Sequence, residues 1–200
     1  MLIWFDELDL LIGLVVLLVL LPILWWRKRS LSYLLFFSIF WLYILAVIRA
    51  VFFPVAINTD HNGAFSLSIN LIPFYFRDCS MFGLCVRGII ENIILTIPFG
   101  FGINFLTRIK QRNIFWLALT VGLGFELYQL LISLVFRSGF RTVDINDSIL
   151  NGTGVLLGYA LFRAFAWVYI NVTTRFNIKH KWLFAYIYKI SHQAQSSEKL

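Results

Sequence analysis

Five long apolar runs follow one another along the chain, separated by short polar turns. About twenty residues in a helix suffice to cross the hydrocarbon core of a bilayer. Each run meets that length, and none is short enough to be an ordinary soluble strand. The pattern predicts an all-α membrane bundle of five spans, at Leu8–Trp26, Leu31–Phe53, Ile89–Thr107, Ile114–Phe136 and Ser148–Ile170.

Composition supports the same class. Of the 200 residues, 60% are hydrophobic and only 14% are charged, with a mean hydropathy of +0.82. These values lie far outside the balance of a soluble domain. No linker-like or repeated segment interrupts the chain. We therefore predict one transmembrane bundle over residues 1–170, followed by a basic tail over residues 171–200.

The basic residues predict the orientation. The net charge of +7 is gathered in clusters beside the spans, at Arg27–Arg29, at Arg108–Arg112 and in the tail. The positive-inside rule explains clusters of this kind better than nucleic-acid binding does. The N-terminus is then expected outside and the C-terminus inside, and the short aromatic segment Trp182–Ile190 is expected to lie in the inner interface.

The predicted fourth and fifth spans carry polar groups that are costly in hydrocarbon. Glu126 and Gln129 fall on one face of the fourth helix with Gly122 and Ser133, so that face should look into the bundle. Candidate ligand-binding residues follow in the outer turn and the start of the fifth span, at Arg141, Asp144, Asp147 and Asn151. Asp147 is predicted to cap the fifth helix.

Three more candidates lie in the second and third spans. Glu91 and Asn92 open the third span, where Glu91 alternatively serves only the helix terminus. Arg49 either snorkels to the interface or pairs with Glu91 or Glu126. The motif Gly154–Gly158 has GxxxG spacing, which is typical of close helix packing in membranes.

The predicted outer loop, residues 54–88, leaves two structural questions open. The phrase Ile69–Phe74 is too apolar for a solvated loop and too short to span, so we predict an interfacial or re-entrant segment. Cys79 and Cys85 either form a disulfide or remain free thiols. No zinc spacing, phosphate-binding glycine loop or nucleophile and base pair is recognisable, so we expect neither metal nor cofactor.

The order of these fragments resembles the VanZ-like membrane family. The resemblance rests on Asn70-Leu-Ile-Pro-Phe74, Glu91-Asn92, Ile97-Pro-Phe-Gly100, Glu126 with Gln129, and Arg141-x-x-Asp144-x-x-Asp147-x-x-x-Asn151-x-x-Gly154-x-x-x-Gly158, and it covers about residues 65–160. The family is named for a protein associated with resistance to teicoplanin, a lipid-tailed glycopeptide. The resemblance implies a bacterial cell membrane, and it brings no agreed biochemical activity.

The polar hairpin favours a non-catalytic binding role. Outer arginines suit phosphate or carboxylate groups, Glu126 and Gln129 suit hydroxyl or amide groups, and the spans suit an acyl chain. The expected partner is a membrane lipid, a lipid-linked cell-wall precursor or a lipidated glycopeptide. One alternative is an intramembrane enzyme acting on a lipid head group, with Glu126 as acid or base and Asp144 with Asp147 holding a divalent ion. The other is a structural partner of another membrane protein.

Overall fold

The computed structural model describes residues 2–57, 67–76, 82–137 and 142–196. It contains six α-helices and four strands of two residues each. The helices are α1 Glu7–Trp26, α2 Leu31–Phe52, α3 Phe82–Gly102, α4 Gln111–Val135, α5 Ile145–Arg175 and α6 Trp182–Ser196. The strands are β1 Leu2–Ile3, β2 Val55–Ala56, β3 Ile69–Asn70 and β4 Val143–Asp144, and they pair β1 with β2 and β3 with β4.

Five helices, α1 to α5, are long and apolar enough to cross a membrane, which confirms the predicted all-α class. The predicted ends of the third and fifth spans were wrong. Helix α3 begins at Phe82 rather than Ile89, and after Gly102 it tightens into a 3-10 turn, Ile103–Phe105. Helix α5 runs on to Arg175, past the predicted end at Ile170. In both cases the helix contains a charged residue beyond the predicted span, Arg87 in α3 and Arg175 in α5, so a span defined by uncharged residues stops short of the helix end.

Helix α5 is the central element and packs most extensively against α3 and α4. A Cβ at Gly154 would collide with the Ile93 carbonyl oxygen, and one at Gly158 would collide with the Ile97 carbonyl oxygen. The GxxxG prediction is therefore confirmed, because these glycines let two helix backbones touch. Gly122 has the same role in α4: a Cβ there would collide with the Ser148 carbonyl oxygen of α5.

Helices α1 and α2 form a more peripheral pair. The Trp41 indole N–H donates to the Gly13 carbonyl at 2.9 Å. Phe52 at the end of α2 lies against Tyr128 of α4, with ring centroids 4.0 Å apart, and the Tyr43 hydroxyl donates to the Leu95 carbonyl at 2.7 Å. Helix α2 thus contacts both α3 and α4 near the end of the bundle where the predicted site residues lie.

The predicted interfacial segment Trp182–Ile190 is only the first part of α6, which continues to Ser196. The helix docks onto the bundle: the Tyr186 hydroxyl donates to the Phe105 carbonyl, and the Arg163 guanidinium donates to the Ala194 carbonyl. Ser191 is completely buried. The last helical turns are therefore fixed by contacts that come from other helices, which the polar sequence of this segment does not reveal.

Candidate functional site

Asp144, and not Asp147, caps helix α5. The Asp144 carboxylate accepts the Asn146 backbone N–H at 2.8 Å, while Asp147 already lies in the first helical turn. The capping prediction was therefore wrong by one turn. Its consequence is that Asp147 turns sideways, towards α3, where the Asn92 side-chain amide donates to its carboxylate at 2.7 Å.

The apolar segment around Asn70 is held against the start of α5. Strand β3 pairs in parallel with β4, and the buried Asn70 amide donates to both oxygens of Asp144, at 3.0 and 3.1 Å. The Phe74 N–H donates to the Asn146 side-chain oxygen at 2.6 Å. The Asn146 side-chain amide donates to the Tyr75 carbonyl. The segment Ile69–Phe74, predicted as interfacial or re-entrant, is thus a turn fixed by hydrogen bonds. Leu71 in this turn is 70% exposed.

Glu126 joins α4 to this cluster. Its side chain is buried, with 5% exposure, and it accepts the Asp144 backbone N–H at 2.8 Å. Gly122 and Ser133 are buried on the same helix face, as the sequence pattern predicted. The Glu126 carboxylate therefore fixes the start of α5 relative to α4, and it also lines a cavity between these helices.

A cavity of about 750 Å³ lies between the ends of α2 to α5. Its lining combines carboxylates and side-chain amides with aliphatic groups. These residues are Ala50, Val51, Glu91, Asn92, Ile94, Leu95, Glu126, Gln129, Thr142, Asp147 and Asn151. Asn151 is 3% exposed, and its side-chain oxygen has no hydrogen-bond partner among the described residues. Buried polar atoms are normally hydrogen-bonded, so this oxygen is suited to accept a hydrogen bond from a ligand.

Six of the nine predicted site residues line this cavity, and a seventh adjoins it. The six are Glu91, Asn92, Glu126, Gln129, Asp147 and Asn151. Asp144 adjoins the cavity through its bond to Glu126. Arg141 lies outside the described residues. The structure thus gathers side chains from three helices that were predicted only from their separate positions in sequence.

Arg49 is not part of the cavity. It is exposed and lines a separate groove with Asp6 and Glu7. Glu91 instead pairs with Arg87 one turn earlier on α3, at 2.6 Å. The predicted pairing of Arg49 with Glu91 is therefore wrong, and its exposure agrees with the snorkelling alternative.

Several contributors were not predicted as site residues. Thr96 is fully buried and donates to the Asn151 carbonyl at 2.7 Å, which fixes the turn of α5 that carries Asn151. Asn70 and Asn146 position Asp144. A lone polar residue in an apolar run was the available signal for Thr96 and Asn70, because such a residue must find a partner inside the bundle.

Cys85 is disulfide-bonded, so the free-thiol alternative is wrong for this residue. Cys79, the other cysteine of the sequence, lies outside the described residues. The bond belongs to the start of α3, at the same end of the bundle as the cavity.

The two aspartates at the start of α5 serve different contacts. Asp144 accepts from Asn70 and Asn146, whereas Asp147 accepts from Asn92. Within the described residues, no group of three or more His, Cys, Asp or Glu side chains is placed to hold a metal ion.

The fold and the cavity define a multi-pass helical membrane protein with a polar cavity built into one end of its bundle. A family model described as VanZ/LLP1 matches residues 40–168, and the chain belongs to this family. The match begins within α2 and ends within α5, so it includes every described residue that lines the cavity. No curated protein and no solved structure matches the chain.

Proposed function

We propose that this VanZ-family protein is a non-catalytic component of the bacterial cell envelope that binds a lipid-linked or lipidated ligand in the cavity. Binding there would alter the access of glycopeptides such as teicoplanin to their target and so change drug sensitivity. One observation carries the proposal: buried polar groups and aliphatic groups line the same 750 Å³ cavity.

The polar lining suits a ligand that donates hydrogen bonds. Carboxylates and amide oxygens come from Glu126, Asp147 and Asn151, while no lysine or arginine belongs to the described lining. Acceptors of this kind favour hydroxyl, amide and ammonium groups, such as those of sugars and peptides. Arg137 is exposed and does not line the cavity, so the described residues favour a sugar or peptide head group over a phosphate.

The aliphatic lining suits an acyl or polyprenyl chain. Ile94 lines the cavity and is also 59% exposed on the outer face of α3. Ala50 and Val51 of α2 form the facing wall. In the proposed complex, an apolar tail lies against these aliphatic groups of α2 and α3 while its head group contacts Glu126 and Asn151.

An outward-facing cavity follows from the proposed orientation. Disulfides persist on the oxidising side of a cell membrane, and Cys85 lies at the cavity end. Basic residues such as Arg27 and Arg108 lie at the other end, as the positive-inside rule expects of the cytoplasmic side.

Thiol labelling in intact bacterial cells tests this orientation. A membrane-impermeant maleimide should label Cys85 only after mild reduction, because the disulfide blocks its sulfur. The control is Lys181→Cys at the opposite end, which should react only once the membrane is made permeable. Labelling of Cys85 only in permeable cells would place the cavity inside and contradict the proposal.

The function is tested by comparing teicoplanin and vancomycin sensitivity at equal expression. Glu126→Gln keeps an oxygen for the Asp144 N–H but removes the charge, and Asn151→Leu removes the unpartnered oxygen. Each change should weaken ligand binding roughly 10- to 100-fold, the value of one buried hydrogen bond to a charged or unpaired group. Teicoplanin sensitivity should shift towards that of cells without the protein.

The matched control is Glu7→Gln, which removes a carboxylate from an exposed position outside the cavity. It should leave teicoplanin sensitivity unchanged. Native mass spectrometry of the purified chain should show a bound lipid-linked ligand that both cavity variants lose. If neither cavity variant changes sensitivity to either drug while both remain folded, the proposed function is wrong.

A further inference from the structure

The cavity that contains Glu91, Glu126 and Asp147 is called the acidic cavity below. A second cavity, of about 710 Å³, lies at the opposite end of the bundle. It is lined by the turn between α1 and α2, the turn between α3 and α4, and one face of α6. Because α2 begins at this cavity and ends at the acidic one, the two cavities are separated by nearly the whole length of the helix. We call it the basic cavity.

The basic cavity concentrates positive charge. Its described lining contains four cationic side chains, Lys28, Arg29, Arg108 and Lys189, and no aspartate or glutamate. Like charges held around one cavity repel one another. An anion bound among them would offset that repulsion, so the lining is suited to a negatively charged ligand.

Two arginines of the cavity wall are held by contacts with other side chains. The Arg108 guanidinium donates to the Gln193 side chain at 2.8 Å, which joins the α3–α4 turn to α6. Arg29 lies over the Tyr33 ring, 4.8 Å from its centroid. These two arginines are therefore positioned before any ligand arrives, which reduces the entropy lost on binding.

The position of the basic cavity along the bundle indicates the source of the anion. Trp26 is 88% exposed and Trp182, which lines the cavity, is 82% exposed. Exposed tryptophans at the ends of apolar helices mark the level of the lipid head groups. Basic cavities between helices at this level recognise anionic lipid head groups.

We propose that the basic cavity binds the phosphate head group of an anionic phospholipid. The four cations contact the phosphate oxygens, and the hydroxyls of Ser32 and Thr107 are available as further donors. Bound lipid would join α6 to the turn between α1 and α2. This site is independent of the acidic cavity and of any effect on glycopeptides.

The test uses the full chain in nanodiscs and in detergent. Native mass spectrometry should show phosphatidylglycerol retained and phosphatidylcholine lost, since only the former carries net charge. Lys28→Gln with Lys189→Gln removes the two lysines of the lining and leaves Arg29 and Arg108, with their contacts to Tyr33 and Gln193, in place. This double variant should weaken phosphatidylglycerol binding roughly 10- to 30-fold, because each cation near an anionic head group contributes about a factor of five.

The control is Lys179→Gln with Lys181→Gln, an identical charge change on described residues outside the basic cavity. It should leave phosphatidylglycerol retention unchanged. Equal losses in the two double variants would assign the effect to general surface charge and overturn the proposal. Equal retention of both lipids by the wild type, or displacement of the lipid by millimolar inorganic phosphate, would overturn it as well, the latter in favour of a free-phosphate site.

Discussion

Replacing Gly154 and Gly158 together by alanine is expected to lower the free energy of unfolding by roughly 2–6 kcal/mol, the cost of two overpacked sites. Each new methyl group would meet the backbone of α3, at the Ile93 and Ile97 carbonyls. Backbone cannot rotate away as a flexible side chain does, so α3 and α5 must separate. The cavity between them should be lost with their contact.

Two other glycines provide matched controls for the double alanine variant. Gly88 on α3 and Gly124 on α4 have no atom within 4 Å of the position that a Cβ would take. Alanine at these sites should be neutral or slightly stabilising, since glycine is the poorer helix former by up to about 1 kcal/mol. Unfolding in detergent, followed by circular dichroism, measures all four positions. Similar losses at Gly124 and Gly158 would show that α5 does not pack against α3 through its glycines.

The spans and the packing face of α5 could be predicted because each depends on a short-range rule. Hydrocarbon thickness fixes the length of a span, and the helical period places Gly122, Glu126 and Ser133 on one face. The spacing of Gly154 and Gly158 likewise needs only one helix. Each of these features depends on one segment alone, so it can be recognised without knowing which segments pack together.

Partner choice could not be predicted, because it depends on where other segments arrive. The sequence from Asp144 to Asp147 offers two capping residues, and local propensity does not separate them. Asn70, far away in sequence, favours Asp144 by donating to its carboxylate. The pairing of Glu91 with Arg87 has a different, local cause: α3 starts before the apolar run does, so one helical turn brings Arg87 and Glu91 together.

The second large effect is expected at Asp144. Asp144→Ala should lower the free energy of unfolding by roughly 2–4 kcal/mol, because it removes a helix cap and also leaves the amide of Asn70, 2% exposed, without one of its partners. The turn that carries Leu71 should then separate from α5. Limited proteolysis of the purified protein should cleave this turn faster in the variant.

Asp6 is the matched control for Asp144, because it also caps a helix, α1, in the same chain. The difference between the two alanine variants isolates the contacts of Asp144 beyond capping. The Asp6 carboxylate accepts only the backbone N–H groups of Leu8 and Asp9 among the described residues, and these contacts are exposed. Asp6→Ala should therefore cost only about 1 kcal/mol, the value of a cap alone. Asp144→Asn, which keeps one carbonyl oxygen for the cap, should fall between the two alanine variants. If Asp6→Ala and Asp144→Ala cost the same, then the bond from Asn70 contributes nothing. The docking of the Asn70 segment onto α5 must then depend on the β3–β4 pairing and on the Phe74 and Asn146 contacts.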